Sequence, residues 1–180
     1  MSGDPLVGPR RHMALRAVSP RMCPVNESAL EWTELDRGET RFRRKQLSEA
    51  ADGDSLGCSL YELPPGHKSW PFHYHTANEE AIYVLDGAGQ IRLAEDTHAL
   101  TAGDYVALPA GESGGHRVIN DGEAPLRYLA VSTMVEPDVT VYPDSGTFGV
   151  FVGSPPGGRE ERSLEGFYDA EDRVDYWADE

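Results

Sequence analysis

Residues 66–87 read GHKSWPFHYHTANEEAIYVLDG, and residues 103–120 read GDYVALPAGESGGHRVIN. In the first stretch His73 and His75 flank Tyr74 within a strand-like run. Strand side chains alternate between faces, so both imidazoles point one way and Tyr74 the other. Two such rings, with Cα atoms about 6–7 Å apart, can converge on one ion. Glu80 opens the next strand after the turn-like segment 76–78 and can add a carboxylate. Its neighbour Glu79 is the rival, and alternation allows only one of the two to face inward. In the second stretch His116 opens a strand after the flexible segment 111–115. Three neutral ring nitrogens and one carboxylate oxygen make a mixed donor set. It suits one divalent first-row transition metal: Fe, Mn, Ni, Cu or Zn.

Outward from these stretches the pattern has a period of two. Residues 56–63 alternate and stop at Pro64-Pro65-Gly66. Strands are expected over 80–85, 90–93, 98–101, 104–108, 116–120, 126–135 and 146–153, with a hairpin turn at 86–89. Residues 26–47 read as one or two irregular strands with a short helical turn. Turn signals every 8–12 residues or so predict an all-β sandwich or barrel.

A chain of 180 residues is long enough for one domain with a sizeable core. Residues 1–25 hold four arginines against one acid, broken by prolines, and read as a disordered extension. Met13 and Met22 within it are alternative starts, and His12 belongs to it. The barrel is expected over 26–153. Residues 154–180 form an acidic Gly/Pro-rich tail, expected to end in a helical turn around 171–177 or to dock its aromatics on the barrel. No apolar run reaches the roughly 18 residues of a membrane span. The net charge of −15 argues against nucleic acid or an anionic membrane as partner. The sixteen basic residues include only two lysines, Lys45 and Lys68. That acid-rich, lysine-poor balance fits a halophilic, high-salt cytoplasm. Cys23 and Cys58 fall in a tail and a strand, are not expected to pair, and fit a reducing, cytoplasmic location. Near Met1 there is no apolar segment of the signal-peptide type.

At these residues the sequence resembles the cupin superfamily. Its first motif places a glycine, H-x-H, a glutamate and a second glycine, matched here by Gly66, His73, His75, Glu80 and Gly87. The spacing to Gly87 favours Glu80 over Glu79. Its second motif is matched by Gly103, Pro109, Gly111, His116 and Asn120. There is one extra residue after Gly66 and two before His116, all in loops, where insertions are tolerated. The resemblance covers about residues 55–135. It implies a double-stranded β-helix, a jelly roll of six to eight strands, with a metal in its lumen held by His73, His75, Glu80 and His116. Residues 136–146 and Tyr176-Trp177 resemble more weakly a group of small single-domain cupins, auxin-binding-like or uncharacterised, from bacteria and archaea.

Two functions fit. One is a metal-dependent enzyme on a small organic molecule, of the dioxygenase, isomerase or decarboxylase type. The other is a non-catalytic cupin that binds or senses a small ligand. A third reading has the metal only pinning the barrel. Candidates for an acid or base beside the metal are His67, Tyr61 and Tyr128. Tyr61, Trp70, Phe72, Tyr83, Tyr105 and Tyr128 are expected in the core or lining the lumen. Lys68 and His98 read as solvated, and Arg92, Arg117 and Arg127 as outward-facing. Cupins of this size often pair through sheet edges, so the resemblance implies a homodimer.

Overall fold

The period-two stretches become strands, and the breaks marked by glycine and proline become corners. The computed structural model describes residues 24–158 and 161–177. The expected N-terminal extension, with His12, Met13, Met22 and Cys23, lies outside the described residues apart from positions 24 and 25. Thirteen strands are described: β1 Thr33–Arg37, β2 Thr40–Gln46, β3 Leu56–Leu63, β4 Tyr74–His75, β5 Glu80–Asp86, β6 Ala88–Leu93, β7 Thr97–Thr101, β8 Tyr105–Leu108, β9 His116–Ile119, β10 Leu126–Thr133, β11 Asp138–Tyr142, β12 Thr147–Val152 and β13 Leu164–Asp169. A single turn of helix, α1 Leu47–Ala50, follows β2.

One wall is a six-stranded antiparallel sheet in the order β1-β2-β3-β10-β5-β8. Facing it are a four-stranded sheet, β13-β12-β11-β4, and a three-stranded sheet, β7-β6-β9. The two smaller sheets meet where His73 and His116 form an isolated antiparallel bridge. The His73 amide donates to the His116 carbonyl at 3.2 Å, and the reverse bond is 2.9 Å. This is the all-β jelly roll that the sequence predicts.

The stretch 86–89 is not a hairpin. β5 pairs with β10 and β8, whereas β6 pairs with β7 and β9. Gly87 therefore turns the chain from one wall to the other. Its φ is +85°, and a Cβ there would lie 2.4 Å from the Pro125 carbonyl oxygen. Only glycine fits both conditions.

Residues 40–46 form a regular strand inside the large sheet, paired to β1 and β3. The tail docks through Leu164–Asp169, which adds to β12 as an edge strand. Residues 171–177 form turns and not a helix.

The core lies at one end of the barrel. Phe42, Leu63, Val84 and Leu126 from the large sheet pack on Ile91, Leu100 and Val118 from the small one. Burial of this kind is worth about 1.5–3 kcal/mol for each large apolar side chain. Asn120 ties it off. Fully buried, it donates from Nδ2 to the Leu63 and Ala124 carbonyls, and its Oδ1 accepts from the Gly122 amide. No helix among the described residues is long and apolar enough to cross a membrane.

Candidate metal centre

His73, His75 and His116 sit on the inner side of the seam between the two smaller sheets, and Glu80 faces them from the start of β5. Each histidine is anchored through Nδ1. His73 Nδ1 lies 2.8 Å from the Pro71 carbonyl, His116 Nδ1 3.0 Å from the Gly114 carbonyl, and His75 Nδ1 2.6 Å from Asp138 Oδ2. A carbonyl or carboxylate oxygen can only accept, so each Nδ1 is the protonated nitrogen. All three Nε2 lone pairs are left for the lumen. Glu80 Oε2 lies 3.5 Å from both His75 Nε2 and His116 Nε2. The donor atoms of His73, His75 and Glu80 all lie within 4.8 Å of one another. Two donors bonded at about 2.1 Å to one tetrahedral or octahedral ion stand about 3.0–3.4 Å apart, close to the 3.5 Å that separates Glu80 Oε2 from the His75 and His116 nitrogens. Glu80 Oε2 is buried and has no hydrogen-bond partner among the described residues. Lone pairs converging on an orphaned carboxylate oxygen call for a cation, and these residues fit a divalent metal.

Ligand duty needs neutral imidazoles, and the electrostatics of the metal-free site favour that form at His73 and His116. Burial holds His73 well below the ordinary histidine range, and the neighbouring His116 and His75 rings add to it. Burial also lowers His116, against the pull of Glu80. His75 differs. Burial works against its charge, but the hydrogen bond it donates to Asp138 and the nearby Glu80 outweigh it and raise its pKa. Asp138 itself is held low: burial pushes it up, but the His75 bond and the Ala77 amide prevail. Thr140 Oγ1 stands 3.1 Å from His75 Nδ1 and donates to Asp138 at 3.4 Å.

A match to the cupin domain family spans residues 59–132. The structure superposes on a proposed sugar phosphate isomerase from Acidithiobacillus ferrooxidans with a TM-score of 0.70 and 26% identity, covering 82% of this chain and 90% of the other. The chain belongs to the cupin superfamily. A predicted oxalate decarboxylase from Thermotoga maritima gives a TM-score of 0.55 and 26% identity over 62% of this cupin and 98% of that protein. An uncharacterised protein of Methanocaldococcus jannaschii is 31% identical over 70 residues, 39% of this chain. The cupin covers about half, 54%, of that relative's length.

The other candidate residues fall in different places. Glu79 is exposed, while Glu80 faces the lumen. Tyr61 and Tyr128 line the cavity, stacked at 5.2 Å and nearly parallel. Trp70, also lining it, donates from Nε1 to the Tyr61 hydroxyl at 3.1 Å. Burial raises Tyr128 well above the ordinary tyrosine value, so it stays protonated. His67 is not among the cavity-lining residues, and its buried Nδ1 has no partner. Tyr83 and Tyr105 pair across β5 and β8 on the exposed face. Phe72 is buried beneath Arg92. Lys68 is tied to Glu39. Arg92 and Arg127 face away from the lumen and pair with carboxylates. Arg117 also avoids the lumen but is buried, held by Glu39 and Thr40. Among the residues that the sequence reading missed, Asp138 is fully buried behind His75, and Thr140 and Arg44 line the cavity. The alternation of Asp138, Thr140 and Tyr142 along β11 is the signal that could have found the first two.

Proposed function

We propose that this cupin is a metal-dependent enzyme acting on a small organic molecule, with His73, His75, Glu80 and His116 as the ligands. The observation that carries the reading is the buried, unpartnered Glu80 oxygen facing the Nε2 atoms of His75 and His116. A first-row metal bound there would polarise a substrate carbonyl or hydroxyl oxygen. The chain's own residues do the rest. Asp138 and the Pro71 and Gly114 carbonyls fix the tautomers and aim the rings. The lumen, with a cavity of about 290 Å³, suits a small substrate. Tyr128, kept protonated, serves as a hydrogen-bond donor to substrate and not as a base. Isomerisation is the favoured reaction type, because the proposed sugar phosphate isomerase shares 26% identity across most of both chains. Decarboxylation is second, on the shorter match to the predicted oxalate decarboxylase.

The test is metal content by mass spectrometry on untagged protein beside a His73→Ala/His116→Ala variant. About one first-row metal per wild-type chain, lost in the folded variant, supports the reading. A wild type that stays empty after reloading rejects it. The metal found then directs the assay: oxygen uptake for iron, sugar or keto-acid turnover for manganese, nickel or zinc. The same reading includes a cytoplasmic homodimer, and a monomeric mass by light scattering at high salt rejects the dimer.

A further inference from the structure

The large sheet presents a graded set of side chains to the lumen. Register places Arg44, Tyr61, Tyr128 and Val84 at one level across β2, β3, β10 and β5. Gln46, Ser59, Ala130 and Ile82 form the next level, and Gly57, Ser132 and Glu80 the one beyond. The tyrosine pair is thus a floor, and the small residues above it leave the space. Arg44 lines this space from β2.

Arg44 differs from its neighbours on the strand. Arg43 faces outward and pairs with Glu62 at 2.7 Å. Lys45 pairs with Glu27 at 2.7 Å. Arg41 meets Asp36 at 3.4 Å. Among the described residues no carboxylate meets Arg44; its guanidinium stands 5.9 Å from the Trp70 ring centroid. The net charge of −15 supplies abundant acids, yet among the described residues the one carboxylate lining this cavity, that of Glu80, lies two levels along and is not paired with Arg44. A half-buried charge without a partner is costly, and the guanidinium fork matches a carboxylate or phosphate in two parallel bonds. Gln46 and Ser59, one level along, add an amide and a hydroxyl beside it.

We infer that the lumen binds a small organic anion, its carboxylate or phosphate group held by Arg44 and its other end presented to the histidine–glutamate cluster. The second contact rests on the metal reading above; the first does not. Arg44 is a substrate-binding residue in this scheme and sets specificity for charge.

Isothermal titration calorimetry on untagged, metal-loaded protein tests this with malonate, glycerol 3-phosphate and neutral glycerol. At least one anion is expected to bind ten-fold or more tightly than glycerol. Arg44→Gln is expected to remove that preference while metal content per chain stays unchanged, and Arg44→Lys to retain part of it. The anion that binds identifies the group as carboxylate or phosphate. Equal binding of anions and glycerol, no anion binding at millimolar concentration, or wild-type anion affinity in Arg44→Gln overturns the inference. Should Arg44→Gln not fold, wild-type affinity at rising chloride decides. Affinity that falls with chloride supports the charge contact, and affinity that does not overturns it. Metal content is measured on the same samples and judges the other reading separately. Anion binding that depends on Arg44 in a chain holding no metal would keep this inference and reject the metal centre.

Discussion

His75 shows how one residue's chemistry depends on a partner far along the chain. Its Nδ1 proton goes to Asp138, 63 positions away, at 2.6 Å. That bond sets the tautomer and leaves Nε2 free toward Glu80. Asp138→Asn keeps the shape but removes the anion, and its amide can present a donor to Nδ1. It is expected to weaken metal affinity roughly 10–100-fold without loss of fold. Competition with a chromogenic chelator measures this, and unchanged affinity would show that Asp138 has only a packing role. The ligand candidates themselves were legible in the sequence. His73, His75 and Glu80 lie within eight residues and obey strand alternation, so a local rule suffices. Asp138 was not, because nothing in its own neighbourhood names His75. Arg44 was hidden differently: Thr40–Gln46 carries charges on both faces, and residue type alone does not say which one points inward.

Among the strands and corners, local chemistry and tertiary pairing part company. Asp86-Gly87-Ala88-Gly89 has the composition of a hairpin turn. It becomes a corner because β5 and β6 find partners in opposite walls. The two glycines with the most clearly assigned corner roles differ in what surrounds them. Gly87 has both a positive φ and the Pro125 carbonyl 2.4 Å from its virtual Cβ. Gly103 has φ +97° but nothing within 4 Å. Gly103→Ala is therefore expected to cost about 1–2 kcal/mol, the price of a left-handed L-residue. Gly87→Ala is expected to cost at least about 1 kcal/mol more, because the backbone must also move. Urea midpoints of the two variants check the order; equal losses would mean that the corner backbone yields freely. β13 was not visible as a strand because it follows a Gly/Pro-rich stretch and shows no clean alternation of burial. Its pairing with β12 supplies the reason that it is extended.

For the molecule as a whole, the buried histidines make stability depend on pH. In the metal-free protein His73 and His116 have lowered pKa values, so the unfolded chain takes up protons that the folded one refuses. Their contribution is complete above the ordinary value of 6.5 and is lost as pH falls toward the lowered folded values. His75, with a raised pKa, acts in the opposite sense: its contribution is complete below 6.5 and is lost as pH rises through the folded value. Two groups against one predict that metal-free protein loses stability on acidification below about pH 6.5. Thermal melts across that range test this, and a melting temperature rising with acid would contradict the buried neutral pair. Metal affinity is expected to fall over the same interval, since protons compete for the same nitrogens.

Taken by itself, the sequence determined the all-β class, most strand positions and the run His73, His75 and Glu80 as ligand candidates, with His116 added by the family's second motif. The class, the strands and the run follow from period-two alternation and from spacing over a few residues, both of which are local. Tertiary structure alone decided that 86–89 is a corner, that 164–169 is a strand, that Asp138 orients His75, and that Arg44 lines the lumen with no carboxylate paired to it among the described residues. Each of these depends on which strands lie side by side. That is settled by burial of one shared core across long sequence separations, and no stretch of a few residues contains it.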